Sequence, residues 1–330
     1  MGRLLLDLEP VPWKKKELSD DERILSFLDF IRPKHAELEY RKEIVQKLLN
    51  HLQNVLSNPE LQEYGSLFTG LSLNISDIDL SLKSPAVGEM DKRRVTMFLR
   101  TYYDPNTEFH FGARVPRVYF HDVSGIAIDL TFANEKACLS AELQLAYCKK
   151  NPVYGTLLML LKHWVYERDL DRVHHGGISS CALSYMLIGW LEMRYHKKGL
   201  SSKEQPLRSL LQDFFHFWGV EWSYELFVLR PLTGQIVPKL QKGWFHEAVP
   251  NLLSIEDPLE KNNDIGKQSF QIAMIQAAFL ASYNELLSDK EWLNTFAITE
   301  AELKLCEKTS IAMHPPSLVS QYDDDDEESQ

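Results

Sequence analysis

The sequence has no basic excess: 36 Lys and Arg stand against 47 Asp and Glu, a net charge of −11. Phosphate contacts supply most nucleic-acid affinity and require cationic side chains, so a broad nucleic-acid-coating face is excluded. The acidic run Asp323–Glu328 accounts for six of those eleven charges and leaves −5 on the rest of the chain. Such blocks read as solvated, disordered tails. No uninterrupted apolar run approaches the roughly eighteen residues of a membrane helix, and Met1–Lys16 mixes Leu with charged residues and Pro instead of forming a signal-peptide core. An intracellular protein, cytoplasmic or nuclear and without membrane attachment, is expected. The four cysteines (Cys138, Cys148, Cys181 and Cys306) form no CxxC pair and no zinc spacing, so neither a disulfide frame nor a zinc site is indicated. RRM signatures, KH loops, zinc knuckles and internal repeats are all missing, which removes the common modules for reading RNA by sequence.

With 330 residues, 44% of them apolar, the chain can bury a full core. Residues 18–58 read as two helices separated at Pro33, with Ile24, Phe27, Leu28 and Ile31 on one face of the first and Ile44, Leu48, Leu52 and Val55 on the second. Between Glu63 and Ala133 the pattern shifts to alternation, in Leu80/Leu82, Val118/Phe120 and Ile126/Ile128/Leu130/Phe132, with a hairpin turning near Asp122 to Gly125. After residue 140 nearly everything is helical, including Leu157–Tyr166, Ala182–Tyr195, Leu207–Trp218 and Phe270–Leu287; Met193–Pro206 reads as a loop. The expected fold is α+β, with a mixed-sheet catalytic domain at 59–140. A helical central domain is expected from 18–58 and 141–313, and an acidic disordered tail at 314–330. The nucleotide is expected in the cleft between the domains.

The first chemical signal is Gly65-Ser66, ten residues, then Asp77-Ile78-Asp79. Strand residues two apart share a face, so Asp77 and Asp79 would set two carboxylates side by side, an arrangement that calls for a hard cation such as Mg²⁺ or Mn²⁺. Asp129 lies inside the alternating segment Ile126–Phe132, where a carboxylate between apolar neighbours needs a cation or a donor. Gly65 and Ser66 add a close-approach backbone and a hydroxyl suited to a triphosphate. Together these fit two-metal phosphoryl transfer.

This pattern resembles the nucleotidyltransferases of the DNA polymerase β superfamily. Arg114-Val115-Pro116, Leu161-Lys162-His163-Trp164, Gly176-Gly177-Ile178-Ser179-Ser180, Ile255-Glu256-Asp257-Pro258-Leu259 and Asn263-Asp264-Ile265-Gly266 are similar, in order and spacing, to landmarks of terminal RNA poly(A) and poly(U) polymerases. The resemblance spans roughly residues 20 to 290. It implies a template-independent enzyme that adds nucleotides from NTPs to RNA 3′ ends, with Asp77, Asp79 and Asp129 holding two divalent ions. It also implies Gly65, Ser66 and Ser180 at the triphosphate, Lys162 at the β- and γ-phosphates, Asp257, Glu260 and Asn263 at the base edge, and Asp264 with Asn263 among the nucleotide-binding residues. Two departures stand out. Where the family places a base-stacking aromatic, this chain has Cys181, and the ribose-contacting asparagine near Ser140 is altered. Asn263-Asp264 resembles adenylyl enzymes, whereas Glu260 resembles uridylyl ones, so adenylyl transfer is slightly favoured and a uridylyl or mixed U/G enzyme with a relaxed base pocket stays open. A catalytically inactive scaffold of an RNA-processing complex, and a small-nucleotide enzyme of the same superfamily, are the further alternatives. With so little basic surface, a partner protein is expected to supply RNA specificity. His174 and His175 read as loop residues, and Phe214, Phe215, Phe217, Trp218 and Trp222 as core.

Overall fold

The computed structural model describes residue 13 and residues 17–85, 88–110, 115–288 and 292–296. Arg114 and the expected tail at 314–330 lie outside them. The chain divides into two compact units.

Among the described residues, the first comprises Pro33–Leu67 and Asn74–Glu135. Its centre is a five-stranded mixed sheet of β1 (Glu60–Glu63), β2 (Ile78–Lys83), β3 (Glu108–His110), β4 (Arg117–His121) and β5 (Ala127–Phe132), in the order β1-β2-β5-β4-β3. Only β2 and β5 run parallel. The alternation seen in the sequence becomes a two-faced sheet: Ile78, Leu80, Leu82, Val118, Phe120, Ile128 and Leu130 are fully buried. Two helices, α2 (His35–Leu52) and α4 (Glu89–Tyr102), cover that face through Leu48, Leu52, Val95 and Leu99. The domain boundary therefore differs from the expected one. The second helix of the 18–58 pair packs on the sheet, because the stripe Ile44/Leu48/Leu52 is continuous with the sheet core. Helix α4 falls inside the segment read as strands; Val95 and Leu99, one turn apart, give it a narrow buried stripe that the surrounding alternation obscures. The β4–β5 hairpin turns at Asp122–Gly125 as expected: the Asp122 carboxylate accepts from the backbone N–H groups of Ser124 and Ile126, and Gly125 supplies a φ of +86°.

Among the described residues, the second unit comprises those up to Arg32, Phe68–Leu73 and those from Lys136 to Phe296. It contains α1 (Asp20–Ile31), α5 (Glu135–Lys150), α6 (Pro152–Glu167), α7 (Ser180–Arg194), α8 (Leu207–His216), α9 (Lys239–Lys242) and α10 (Ile272–Leu287), with a small antiparallel pair, β6 (Phe227–Arg230) and β7 (Gln235–Pro238). The short α3 (Gly65–Thr69) bridges the division of the chain. Ser19 caps α1 in a reciprocal box with Glu22, as a Ser-x-x-Glu spacing dictates. Aromatic packing dominates the core: Trp164 stacks on Phe279 with ring centres 5.1 Å apart, and Phe214, Phe215, Phe217, Trp218 and Trp222 are all buried. The aromatic cluster is core, and His174 and His175 are exposed on a single helical turn.

His163 is fully buried beside the Phe27 ring, and burial lowers its imidazole to about 4. An unfolded imidazole titrates near 6.5, so below that pH the unfolded chain binds a proton the folded chain refuses. Stability contributed above pH 6.5 is lost as pH falls toward 4. Urea unfolding should show a loss of about 1–2 kcal/mol from pH 7 to pH 5 that His163→Phe removes; an unchanged pH slope in the variant would contradict this.

Candidate active site

The parallel register of β2 and β5 places Asp79 directly opposite Asp129. Their neighbours Ile78, Leu80, Ile128 and Leu130 fill the core, so both carboxylates stand on the other face of the sheet, on strands roughly 4.8 Å apart. Asp77, expected on the same strand as Asp79, lies instead in the loop one residue before β2, and its charge reaches Asp129 and Tyr64. The electrostatics agree. Burial pushes the Asp129 carboxyl up, Arg117 opposes this, and Asp77 adds to it. Tyr64 is raised by burial and then by the charges of Asp79, Asp129 and Asp77. Asp129 Oδ2 accepts from Arg117 Nη1 at 3.1 Å, while Oδ1 is buried with no hydrogen-bond partner among the described residues.

Gly65 stands against this cluster. Its φ is +63°, and a Cβ there would lie 1.9 Å from Asp79 Oδ2. Any side chain would both strain the backbone and drive into the carboxylate. Gly65→Ala is expected to cost about 1–2 kcal/mol through its left-handed backbone alone. Displacement of Asp79 should lower incorporation at least about tenfold further than the stability loss explains; a variant with normal turnover would show that the carboxylate has room to move. Ser66 follows in the first turn of α3.

One residue of this region is invisible in the sequence pattern. Arg41 of α2, 1% exposed, donates from Nη1 to the Ser76 carbonyl at 2.6 Å and from Nη2 to the Asn74 carbonyl at 3.0 Å, and pairs with Glu37. It thereby fixes the loop that delivers Asp77. An arginine in an amphipathic helix normally reads as a solvated residue, and no local motif marks this one.

Among the described residues no three His, Cys, Asp or Glu side chains close into a ready-made metal cage. Magnesium commonly takes only one or two protein carboxylates and completes its shell with phosphate and water. Asp79 and Asp129 opposite each other, a buried unpartnered oxygen at Asp129 and a glycine with no Cβ beside Asp79 fit such an ion.

The remaining expected residues lie in the helical unit and form a second group. Cys181, in the first turn of α7, has its Sγ 4.0 Å from Ser140 Oγ, and Ser140 hydrogen-bonds Tyr185 at 2.9 Å. Burial pushes the Cys181 thiol up to about 11, with the nearby Asp257 charge adding to it. The segment 257–263 closes on itself: Asn263 Nδ2 donates to Asp257 Oδ2 at 2.9 Å, and the Asp257 N–H donates to the Asn263 carbonyl at 3.0 Å. Glu260 pairs with Lys136 of α5, one turn from Ser140. The Asp264 carboxylate accepts from the N–H groups of Ile255 and Gly266, so it builds the loop from within. Ser180 is exposed at the start of α7, which Ser179 caps, and Lys162 donates to the Leu71 carbonyl at 3.2 Å. Cys181, Asp257, Asn263 and Glu260 are thus brought together with Ser140 and Tyr185. Tyr185 and Lys136 had no sequence signal; helical spacing from Cys181 and Ser140 could have found them.

The chain matches two family models: the central palm domain of mitochondrial-like poly(A) RNA polymerase over residues 21–149, and the Cid1 family poly A polymerase model over residues 206–263. It is 64% identical over 328 residues to poly(A) RNA polymerase cid12 of Schizosaccharomyces pombe, covering 99% of this chain and 98% of that protein. To poly(A) RNA polymerase cid14 of the same organism it is 26% identical over 299 residues, covering 86% of this chain and 44% of that protein. The polymerase core of TRAMP, an RNA surveillance complex, superposes with a TM-score of 0.74 at 25% identity, covering 92% of this chain and 99% of the other. The MgGTP-bound Cid1 poly(U) polymerase has the same fold, with a TM-score of 0.72 at 21% identity and coverage of 84% and 98%. With its α+β architecture, its carboxylate pattern and a relative of this identity matched end to end, the chain belongs to the Cid1-type poly(A) RNA polymerase family and is an enzyme of the terminal RNA nucleotidyltransferase class.

Proposed function

We propose that the protein adds nucleotides, preferentially AMP from ATP, to RNA 3′ ends without a template, using Asp77, Asp79 and Asp129 to bind two Mg²⁺ or Mn²⁺ ions. The observation that supports this is the register of Asp79 against Asp129, with the charge of Asp77 acting on Asp129. Bound divalent ions would lower the pKa of the RNA 3′-hydroxyl and neutralise the triphosphate and leaving pyrophosphate. The protein's part is positioning. Asp77 and Asp79 would hold both ions and Asp129 the one at the 3′-hydroxyl, where its carboxylate would stand ready to accept the hydroxyl proton. Gly65 lets the chain approach closely, Ser66 and Ser180 offer hydroxyls to phosphate, and Lys162 supplies a point charge for the β- and γ-phosphates.

The base is read by Asp257, Asn263 and Glu260, with Asp264 supporting their loop. Because the Asn263 amide nitrogen donates to Asp257, its carbonyl oxygen is the acceptor for adenine N6–H₂. Cys181 favours a second reading, mixed or uridylyl addition, because a thiol cannot supply the roughly 1–3 kcal/mol of base stacking that an aromatic gives. The chain's acidity supports RNA delivery by a partner protein inside the cell.

The test is primer extension with each NTP offered separately and then in mixture. AMP tails are expected from ATP, and Asn263→His should shift preference toward UTP by changing the donor and acceptor set. Incorporation of U or G at rates matching A would overturn the adenylyl preference, and unchanged rates in Asn263→His would remove that residue from the base edge.

A further inference from the structure

Arg117 opens β4 in register with Thr131, whereas Asp129 faces Tyr119, so its guanidinium reaches diagonally across the strand pair to Asp129. It engages one oxygen, Oδ2 at 3.1 Å, although a guanidinium facing a carboxylate can take both. The second oxygen, Oδ1, is buried and has no hydrogen-bond partner among the described residues. The Asp129 side chain is 14% exposed and that of Arg117 35%, so the arginine can swing into water while the carboxylate cannot. The other charged or titratable groups acting on Asp129 are Asp77, which disfavours its ionised form, and His110 of β3, which supports it; Tyr64 and Tyr119 feel its charge in turn.

We infer that Arg117 is a positioning residue and resident counter-cation. It holds the ionised Asp129 side chain in place before a divalent ion binds, and then competes with that ion for the same charge, setting the metal concentration at which the site fills. This rests on the reading of Asp129 as a metal ligand. Two cations at one carboxylate repel each other, so removing the arginine should strengthen metal binding while weakening the metal-free site.

Calorimetric titration of Mn²⁺ into the nucleotide-free full chain tests it. Arg117→Gln, which keeps a hydrogen-bond donor without charge, is expected to bind Mn²⁺ about fivefold or more tightly than wild type. Arg117→Lys should stay near wild type. In chelator, Arg117→Gln should melt below wild type and gain more from added Mn²⁺. Equal or weaker binding by Arg117→Gln, with binding lost in Asp129→Asn, overturns the inference and leaves the carboxylate site standing. Wild-type binding by Asp129→Asn overturns both.

Discussion

Asp129→Ala should abolish nucleotide incorporation, lowering it by at least about a thousandfold, while the protein stays folded. The sizes follow from two opposing costs. A metal-binding carboxylate supplies several kcal/mol of transition-state stabilisation, and each 1.4 kcal/mol is about tenfold in rate. Its removal opens no core cavity, because Asp129 stands on the face opposite Ile128 and Leu130 and is itself held at a desolvation cost. Arg117 loses its partner but is exposed enough to rehydrate. The melting temperature is therefore expected to stay within a few degrees of wild type, and Asp77→Ala and Asp79→Ala should behave alike. Robust primer extension by Asp129→Ala would remove the carboxylate from the chemistry.

The second large effect is on stability. Arg41→Met keeps much of the side-chain volume but removes a guanidinium that satisfies Glu37 and the carbonyls of Asn74 and Ser76. Breaking a buried pair by deleting one partner typically costs about 3–5 kcal/mol, because the surviving charge stays buried. Burial already raises the Glu37 carboxyl even with Arg41 beside it. Urea unfolding should show a loss of that order. The double variant Arg41→Met with Glu37→Gln should recover a large part of the stability by removing the stranded charge. It should not recover full incorporation, since the loop before Asp77 still lacks its tie. Full activity in the double variant would mean that Asp77 is placed by β2 alone.

The parts of this protein legible in its sequence are those where chemistry and periodicity coincide. Asp129 announced itself as a carboxylate inside an alternating strand, and the β4–β5 hairpin through Asp122 and Gly125. The two-faced sheet followed from Leu80/Leu82 and Ile128/Leu130. The boundary of the sheet unit did not follow, because α1 and α2 have similar stripes and only three-dimensional packing assigns them different cores. Helix α4 was hidden by a stripe of only Val95, Thr96 and Leu99 among charged residues. Arg41 and Arg117 were silent for a common reason. Each acts on loop carbonyls or a carboxylate of another element, and a single side chain carries no period.

The pairing of Asp79 with Asp129 ties fidelity of folding to the reaction. A slip of β2 against β5 by one residue would turn Asp79 into the space held by Leu80 and expose that leucine, while β5 stays anchored by β4. Such a state would bury the Asp79 carboxylate in the apolar core at a high desolvation cost and part it from Asp129. A slipped sheet is thus no partly working arrangement, and destabilising substitutions on its core face, at Leu80, Ile128 or Leu130, should lower the number of active molecules while leaving the turnover of each one unchanged.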